Sequence, residues 1–274
     1  MSLCSAEFGG YAVSELITQL TNLARVTGAP ESDLTIVAEG NIAVVEPGAK
    51  RFLVKASGVI MGQATDDDWV YLDLAKCSQL LVDAHKQGVT KKLDQAFDQI
   101  LKSSTTADGK VRKASIETMV HVVAFALMDA TWSLHTHPTP VVALAASKDA
   151  AKHYSGTVFP DEAVVCGPVP LFLPYQSPGL ALGLGVYQGV LKYQKKYERS
   201  PGQIILGNHG LCTFGSVSNE ALSTTQIAVK AAKVRVGALS SGGINFIPNK
   251  EAQAIAFRPD ELLRRKMLAE QKKR

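Results

Sequence analysis

The sequence predicts a layered α/β domain with helices on both faces of a sheet. Two observations carry that expectation. Apolar stretches at helical spacing alternate with short β-rich runs along the chain. The chain is also long enough, at 274 residues and 46% hydrophobic, to build a substantial core as one domain spanning 1–274.

Residues 11–26 carry Leu16, Ile17, Leu20, Leu23 and Ala24 at helical spacing, and Gly28 and Pro30 end that helix. Strands are expected at 34–37, 42–45, 51–54 and 69–72, with turns at Gly40-Asn41, Pro47-Gly48 and Gly58. Helices are expected at 75–86 and 91–102, then a polar, mobile loop at 103–109 too short to link domains. Ser115 reads as the N-cap of a helix running through Glu117, His121, Phe125 and Met128. A strand at 132–137 and an Ala-rich helix at 141–151 come next. The Pro- and Gly-rich stretch 156–178 contains strand-like runs at 163–166 and 171–173. Helices at 178–198 and 218–240 flank a strand at 203–206, and a charged peripheral helix covers 258–273.

Composition narrows the function. The net charge is +4, and the excess sits in the tail Lys272-Lys273-Arg274 and in Lys192, Lys195, Lys196 and Arg199, which read as solvated helix faces. No basic stripe interleaved with aromatics points to nucleic acid. Four widely spaced cysteines (Cys4, Cys77, Cys166 and Cys212) form no C-x-x-C motif and no disulfide framework. Cys166 and Cys212 read as buried thiols in strand-like runs. No apolar run reaches membrane-spanning length, and the start lacks a signal-peptide pattern. The expectation is a cytoplasmic protein with neither membrane nor nucleic-acid partner.

The chemistry is concentrated in His135-Thr136-His137-Pro138. Side chains i and i+2 of a strand share a face, so both imidazoles point the same way. Pro138 has no N–H for the ladder and stops the strand directly after the pair. A second apolar run, 203–206, ends in Gly207-Asn208-His209-Gly210 and offers a third imidazole at another strand tip. Three histidines with an open position are the composition of a catalytic zinc-type site.

With Glu117, His-Thr-His-Pro at 135–138 and Asn208-His209-Gly210-Leu211 in this order, the chain resembles the class II aldolase/adducin family. Gly40-Asn41, Lys55-Ala56-Ser57-Gly58, Phe159-Pro160-Asp161-Glu162 and Pro174-Tyr175-x-x-Pro178-Gly179 support the resemblance, which extends to about Gly243. It implies a three-layer α/β/α sandwich with a mostly antiparallel central sheet, assembled as a homotetramer. It implies a divalent metal on His135, His137 and His209, usually zinc, with manganese, cobalt and iron as alternatives. Glu117 becomes the acid/base, Asn41, Ser57, Gly58 and Ser115 the phosphate pocket, and Tyr154 a protonating residue. The expected substrate is a small ketose phosphate or a related hydroxy-keto compound.

Two departures bear on that pocket. The family's Gly-Asn-x-Ser is Gly40-Asn41-Ile42-Ala43 here, and Ser115 stands alone where some aldolases have two serines. A weaker pocket, or one for a different anion, follows. Retro-aldol cleavage suits the constellation, because a cation on neutral imidazoles keeps enough charge to polarise a carbonyl. A carboxyl group near it must move a proton at carbon, and apolar Ile116 and Val120 are expected to raise the Glu117 pKa. A dehydratase, decarboxylase or 4-epimerase would start from the same site, although family epimerases usually carry Asp at the position of Glu117. An adducin-like interaction domain would have lost the histidines, and a purely structural metal site would need His209 for folding. His121, one turn from Glu117, is expected to pack or hydrogen-bond near the site, and His85 and His153 to be structural.

Overall fold

The structure, a computed structural model, describes residues 13–270 apart from positions 47 and 49. In chain order it comprises α1 (Val13–Thr27), β1 (Asn41–Val45), β2 (Arg51–Lys55), β3 (Trp69–Asp73), α2 (Leu74–Gln87), α3 (Lys91–Lys102), α4 (Thr118–Leu127), β4 (Trp132–Thr136), α5 (Thr139–Ala145), α6 (Ala150–His153), α7 (Pro160–Cys166), β5 (Leu171–Leu173), α8 (Leu180–Tyr197), β6 (Gln203–Leu206), β7 (Gly210–Gly215), α9 (Ser218–Ser240), α10 (Asn249–Ala256) and α11 (Pro259–Glu270). The strands form one seven-stranded sheet in the order β3-β2-β1-β4-β7-β6-β5. Every pairing is antiparallel except β5 with β6.

Layering follows from which faces are apolar. Helices α2, α4 and α8 pack on one another, with α4 on β1 and β4. On the other face α1 meets β1, and α5 and α9 meet β7. β4 lies at the middle of the sheet and is buried along its whole length. A strand covered on both faces reads as near-continuous apolar sequence, so the polar residues Ser133, His135 and Thr136, all 0% exposed there, call for partners, which Ser133 and His135 have.

The three-layer sandwich and the mostly antiparallel sheet are as the sequence implies, but several elements differ. Residues 34–37 form no strand. Val37 adopts a positive φ of 57°, and Ile36 and Val37 are 62% and 70% exposed. β-branched side chains favour a strand only where a neighbouring strand accepts them, and this stretch turns to deliver Glu39 instead. Residues 163–166 belong to helix α7, which has Pro160 at its start and Asp161 and Glu162 in its first turn, both helix-initiating signals. The expected helix at 141–151 is two pieces, α5 and α6, parted where the Ser147 hydroxyl donates to Leu144 O. The segment at 103–109 is tied down: Tyr71 N–H donates to Thr105 O at 2.7 Å and Ser104 Oγ to Leu101 O at 2.8 Å. It pairs with the edge strand β3, which would otherwise present unpaired N–H groups. Helix α10 was not anticipated. Cys166 therefore sits in a helix and Cys212 in β7, both buried, while Cys4, residues 11–12 and 271–274, and Pro47 of the expected turn lie outside the described residues.

One buried ion pair fixes the outer layer. Arg235 Nη2 lies 2.8 Å from Glu162 Oε1, with both side chains 1% exposed. Arg235 also donates to His153 O at 2.9 Å and Gly156 O at 2.6 Å, and Glu162 Oε2 accepts from Val158 N–H. Removing one partner strands the other charge in the interior. Arg235→Met is expected to lower the unfolding free energy by about 3–5 kcal/mol, measured by urea denaturation, whereas Arg258→Ala, in the exposed pair with Asp260, changes it by at most about 1 kcal/mol. Equal effects of the two substitutions would show that the buried pair holds nothing.

Candidate metal centre

Each ligand of the candidate centre is delivered by a different local device. His135 is on β4, paired across from Asn41 of β1 and Cys212 of β7. His137 follows the strand end, its N–H donating to Leu34 O at 2.8 Å. His209 sits in the turn between β6 and β7, where Asn208 takes a positive φ of 54°. Gly210 is required there: a Cβ would collide with Thr136 O and come within 2.9 Å of His137 Cδ2. The glycine lets the turn approach the His-x-His pair closely. Glu117 occupies the N-cap position of α4, so the helix starts two residues later than an N-cap at Ser115 implies. Thr118 Oγ donates to Ser115 O at 2.6 Å and closes that turn.

One ligand atom from each of Glu117, His135, His137 and His209 lies within 4.8 Å of all the others. Glu117 Oε1 is 2.7 Å from His209 Nε2, and Oε2 is 3.2 Å from His135 Nε2. The three ring centroids are 4.8–5.0 Å apart. His135 and His137 meet Nε2 to Nε2 at 3.0 Å. On each, Nδ1 faces an acceptor: Leu211 O at 3.0 Å for His135 and Glu39 Oε2 at 3.1 Å for His137. An Nδ1–H on each ring leaves both Nε2 lone pairs pointing at one another, which requires a positive charge between them. A proton is one source. Burial disfavours a charge on His135, but Glu117 and Cys212 outweigh it and hold its pKa well above the ordinary value. Burial, reinforced by the charges of His135 and His209, pushes His137 down to about 3. A divalent cation is the other source, and the donor set fits one: three imidazoles, a carboxylate, and acceptors behind two of the rings to fix their tautomers.

Glu117 itself departs from the expected direction. Burial would raise its pKa, but the charges and hydrogen bonds of His135 and His209 hold the carboxyl below the usual range. Ile116 contributes little apolar cover, being 49% exposed.

The residues expected to form an anion pocket group beside this cluster. A bridge between Ala56 and Ala114 sets the Ser57–Gly58 turn next to Ser115. Ser57 N–H donates to Lys113 O, and Ser115 N–H to Lys55 O. Ser57 and Gly58 are exposed, while Ser115 is buried with its Oγ near Glu117 N–H at 3.4 Å. Asn41 is fully buried and donates Nδ2–H to Glu117 Oε2 at 3.0 Å. Tyr154 alone is not brought to the cluster. Its hydroxyl reaches Val141 O at 3.3 Å, its ring stacks on Phe172, and burial raises its pKa.

Two residues escaped sequence reasoning, Glu39 and Lys55, and a third, His121, packs near the site as expected with partners the sequence did not name. Glu39 stands directly before Gly40-Asn41 and orients His137. Lys55 is 2% exposed, donates to Val59 O at 2.7 Å and Ala38 O at 3.3 Å, and is lowered to about 8 by burial against the pull of Glu117 and Asp68. It ties the 57–59 turn to the segment carrying Glu39. His121 bonds Asn41 and Ser133 as a buried, neutral ring, its pKa pushed down to about 3 by burial and by the charge on His135. Of the three, only His121 had a signal, its spacing of one turn from Glu117.

A three-layer sandwich with three histidines and a glutamate converging at the end of its central strand is the arrangement of a class II aldolase-type domain. The chain belongs to that family: residues 20–236 match the model for the class II aldolase and adducin N-terminal domain. Its fold is similar to an L-fuculose 1-phosphate aldolase (18% identity, 89% of this chain and 96% of that one, TM-score 0.64). It is also similar to the N-terminal class II aldolase domain of a protein from Thermoplasma acidophilum (20%, 86% and 99%, 0.60) and to the L-fuculose-1-phosphate aldolase from Thermus thermophilus (17%, 84% and 98%, 0.56). No curated protein sequence matches this chain. Among the described residues no helix is long and apolar enough to cross a membrane.

Glu39→Gln is expected to weaken zinc affinity about 10–100-fold by loosening His137, read by competition with a chromophoric chelator. His209→Ala is expected to lose tight binding yet keep the wild-type circular dichroism and melting profile. Affinity should fall as pH falls, because protons compete for the same nitrogens. An unfolded His209→Ala chain would instead make the site structural.

Proposed function

We propose that this protein is a metal-dependent carbon–carbon lyase that cleaves a small ketose phosphate, or a related hydroxy-keto compound, by retro-aldol chemistry. The observation that carries the reading is the convergence of three imidazoles and one carboxylate within 4.8 Å, beside a polar turn. His135, His137 and His209 would hold the divalent cation, zinc in the first instance. When bound, the cation supplies Lewis acidity toward a substrate carbonyl.

The chain's own residues do the rest. Glu117 moves the proton at carbon: Oε1 faces His209, and Oε2 is held by Asn41 beside His135. Ser57, Gly58 and Ser115, with the second N–H of Asn41, take the anionic end of the substrate through hydroxyl and backbone donors. Buried Lys55 adds a cation beneath that turn. Burial of His135, Asn41 and His121 limits water on the sheet side, so substrate enters past His137, whose side chain is 18% exposed. Tyr154 stays outside the reacting set. We extend the reading to a cytoplasmic homotetramer, for which the exposed Ile36 and Val37 near Glu39 offer apolar surface to bury.

The test is a panel of ketose phosphates and hydroxy-keto acids incubated with zinc-, manganese- or cobalt-loaded protein. The expected result is cleavage of at least one ketose phosphate to two carbonyl fragments. Glu117→Gln should lower kcat by about 10²–10⁴-fold while the protein still binds metal. Dehydration, decarboxylation or epimerisation without cleavage would contradict the lyase assignment.

A further inference from the structure

Behind the carboxylate lies a chain of buried polar groups, two of which, Ser133 and His121, neither metal binding nor anion binding uses. Ser133 Oγ lies 2.7 Å from His121 Nδ1, and His121 Nε2 makes a short hydrogen bond to Asn41 Oδ1. Asn41 Nδ2 then donates to Glu117 Oε2 at 3.0 Å. Ser133, His121 and Asn41 are all 0% exposed, so no water competes for these bonds.

The direction of the chain is forced from its end. An ionised carboxylate only accepts, so Asn41 must turn its amide N–H toward Glu117 and its oxygen toward His121. His121 must then carry its proton on Nε2 and accept the Ser133 hydroxyl proton on Nδ1. This is the opposite tautomer to that of His135 and His137, whose Nδ1 atoms face acceptors. A flipped Asn41 would set its oxygen against the carboxylate. The fold supports the arrangement at both ends. His121 lies one helical turn beyond Glu117 on α4, and Asn41 and Ser133 sit on the paired strands β1 and β4, opposite His135 and Ala43 respectively.

We infer that His121 is a positioning residue for Glu117, acting through the Asn41 amide: its Nε2–H locks that amide, and the amide fixes Oε2, the carboxylate oxygen that also lies 3.2 Å from His135 Nε2. The inference rests on the reading of Glu117 as the acid/base at the metal. It assigns Asn41 a first duty to Glu117, with only its second N–H left for an anion.

The test needs no substrate, so its outcome is separate from that of the lyase assay. In zinc-loaded, ¹⁵N-histidine-labelled wild-type protein, the signals that vanish in His121→Gln are expected to show a protonated Nε2 and an unprotonated Nδ1. Cobalt-loaded variants give the second readout. His121→Gln keeps a side-chain donor toward Asn41 and is expected to retain the wild-type visible bands and metal affinity. His121→Leu is expected to shift the bands toward those of Glu117→Gln and to weaken metal binding about tenfold or more, with circular dichroism unchanged. An Nδ1–H tautomer in the wild type overturns the inference. So does a folded His121→Leu protein with unaltered bands, or a Gln variant as impaired as the Leu variant. If His121→Leu does not fold, the wild-type tautomer and the Gln variant decide.

Discussion

Two imidazole nitrogens held face to face at 3.0 Å set the terms for everything around them. Neither ring can turn away, because each is bonded through its other nitrogen, one to a carbonyl of β7 and the other to Glu39. Such a pair is unfavourable unless positive charge lies between the rings. Glu117 is the countercharge that makes a positive centre tolerable in a buried place. The cluster therefore has the donor set to hold a cation, with the carboxylate placed where it would balance one.

The fold serves this requirement economically. β4 runs through the middle of the sheet, so His135 is enclosed by neighbours on both sides and cannot move. The β6–β7 turn brings in His209 only because Gly210 has no side chain to strike the backbone of β4. Gly40 does the same for the other neighbour: it has a positive φ of 68°, and a Cβ there would approach His135 O to 2.9 Å. The central strand supplies His135, and the ends of elements and a tight turn supply the others. Exposure rises from His135 at 0% to His137 at 18%, which gives the cluster an enclosed side and an open side.

What the sequence disclosed depended on how local each cause was. His135 and His137 were legible because a strand has period two, and Pro138 marked where it stops. The layering of helices on both faces of a sheet, and the long helices themselves, were legible from apolar spacing. Ile36 and Val37 misled because β-branched residues signal a strand only when a partner strand exists. Residues 163–166 misled because an apolar run of four reads as a strand until the preceding Pro160 and its two acids are weighed. Glu39 and the role of His121 were hidden because their partners lie far off in sequence: 98 residues for the Glu39 contact with His137 and 80 for His121 with Asn41. The direction of the Glu117 shift was missed for the same reason. Its neighbours in sequence are apolar, but its neighbours in space are histidines.

All of this geometry makes sense if one cation sits among His135, His137 and His209, bound through Nε2 of each. Crystals of the zinc-loaded protein, with anomalous data collected on both sides of the zinc edge, would locate that ion. A single peak is expected about 2.0–2.1 Å from all three Nε2 atoms, with Glu117 beside it. A peak bound to Nδ1 of any of these rings, or ordered zinc elsewhere with this cluster left without a peak, would refute the assignment.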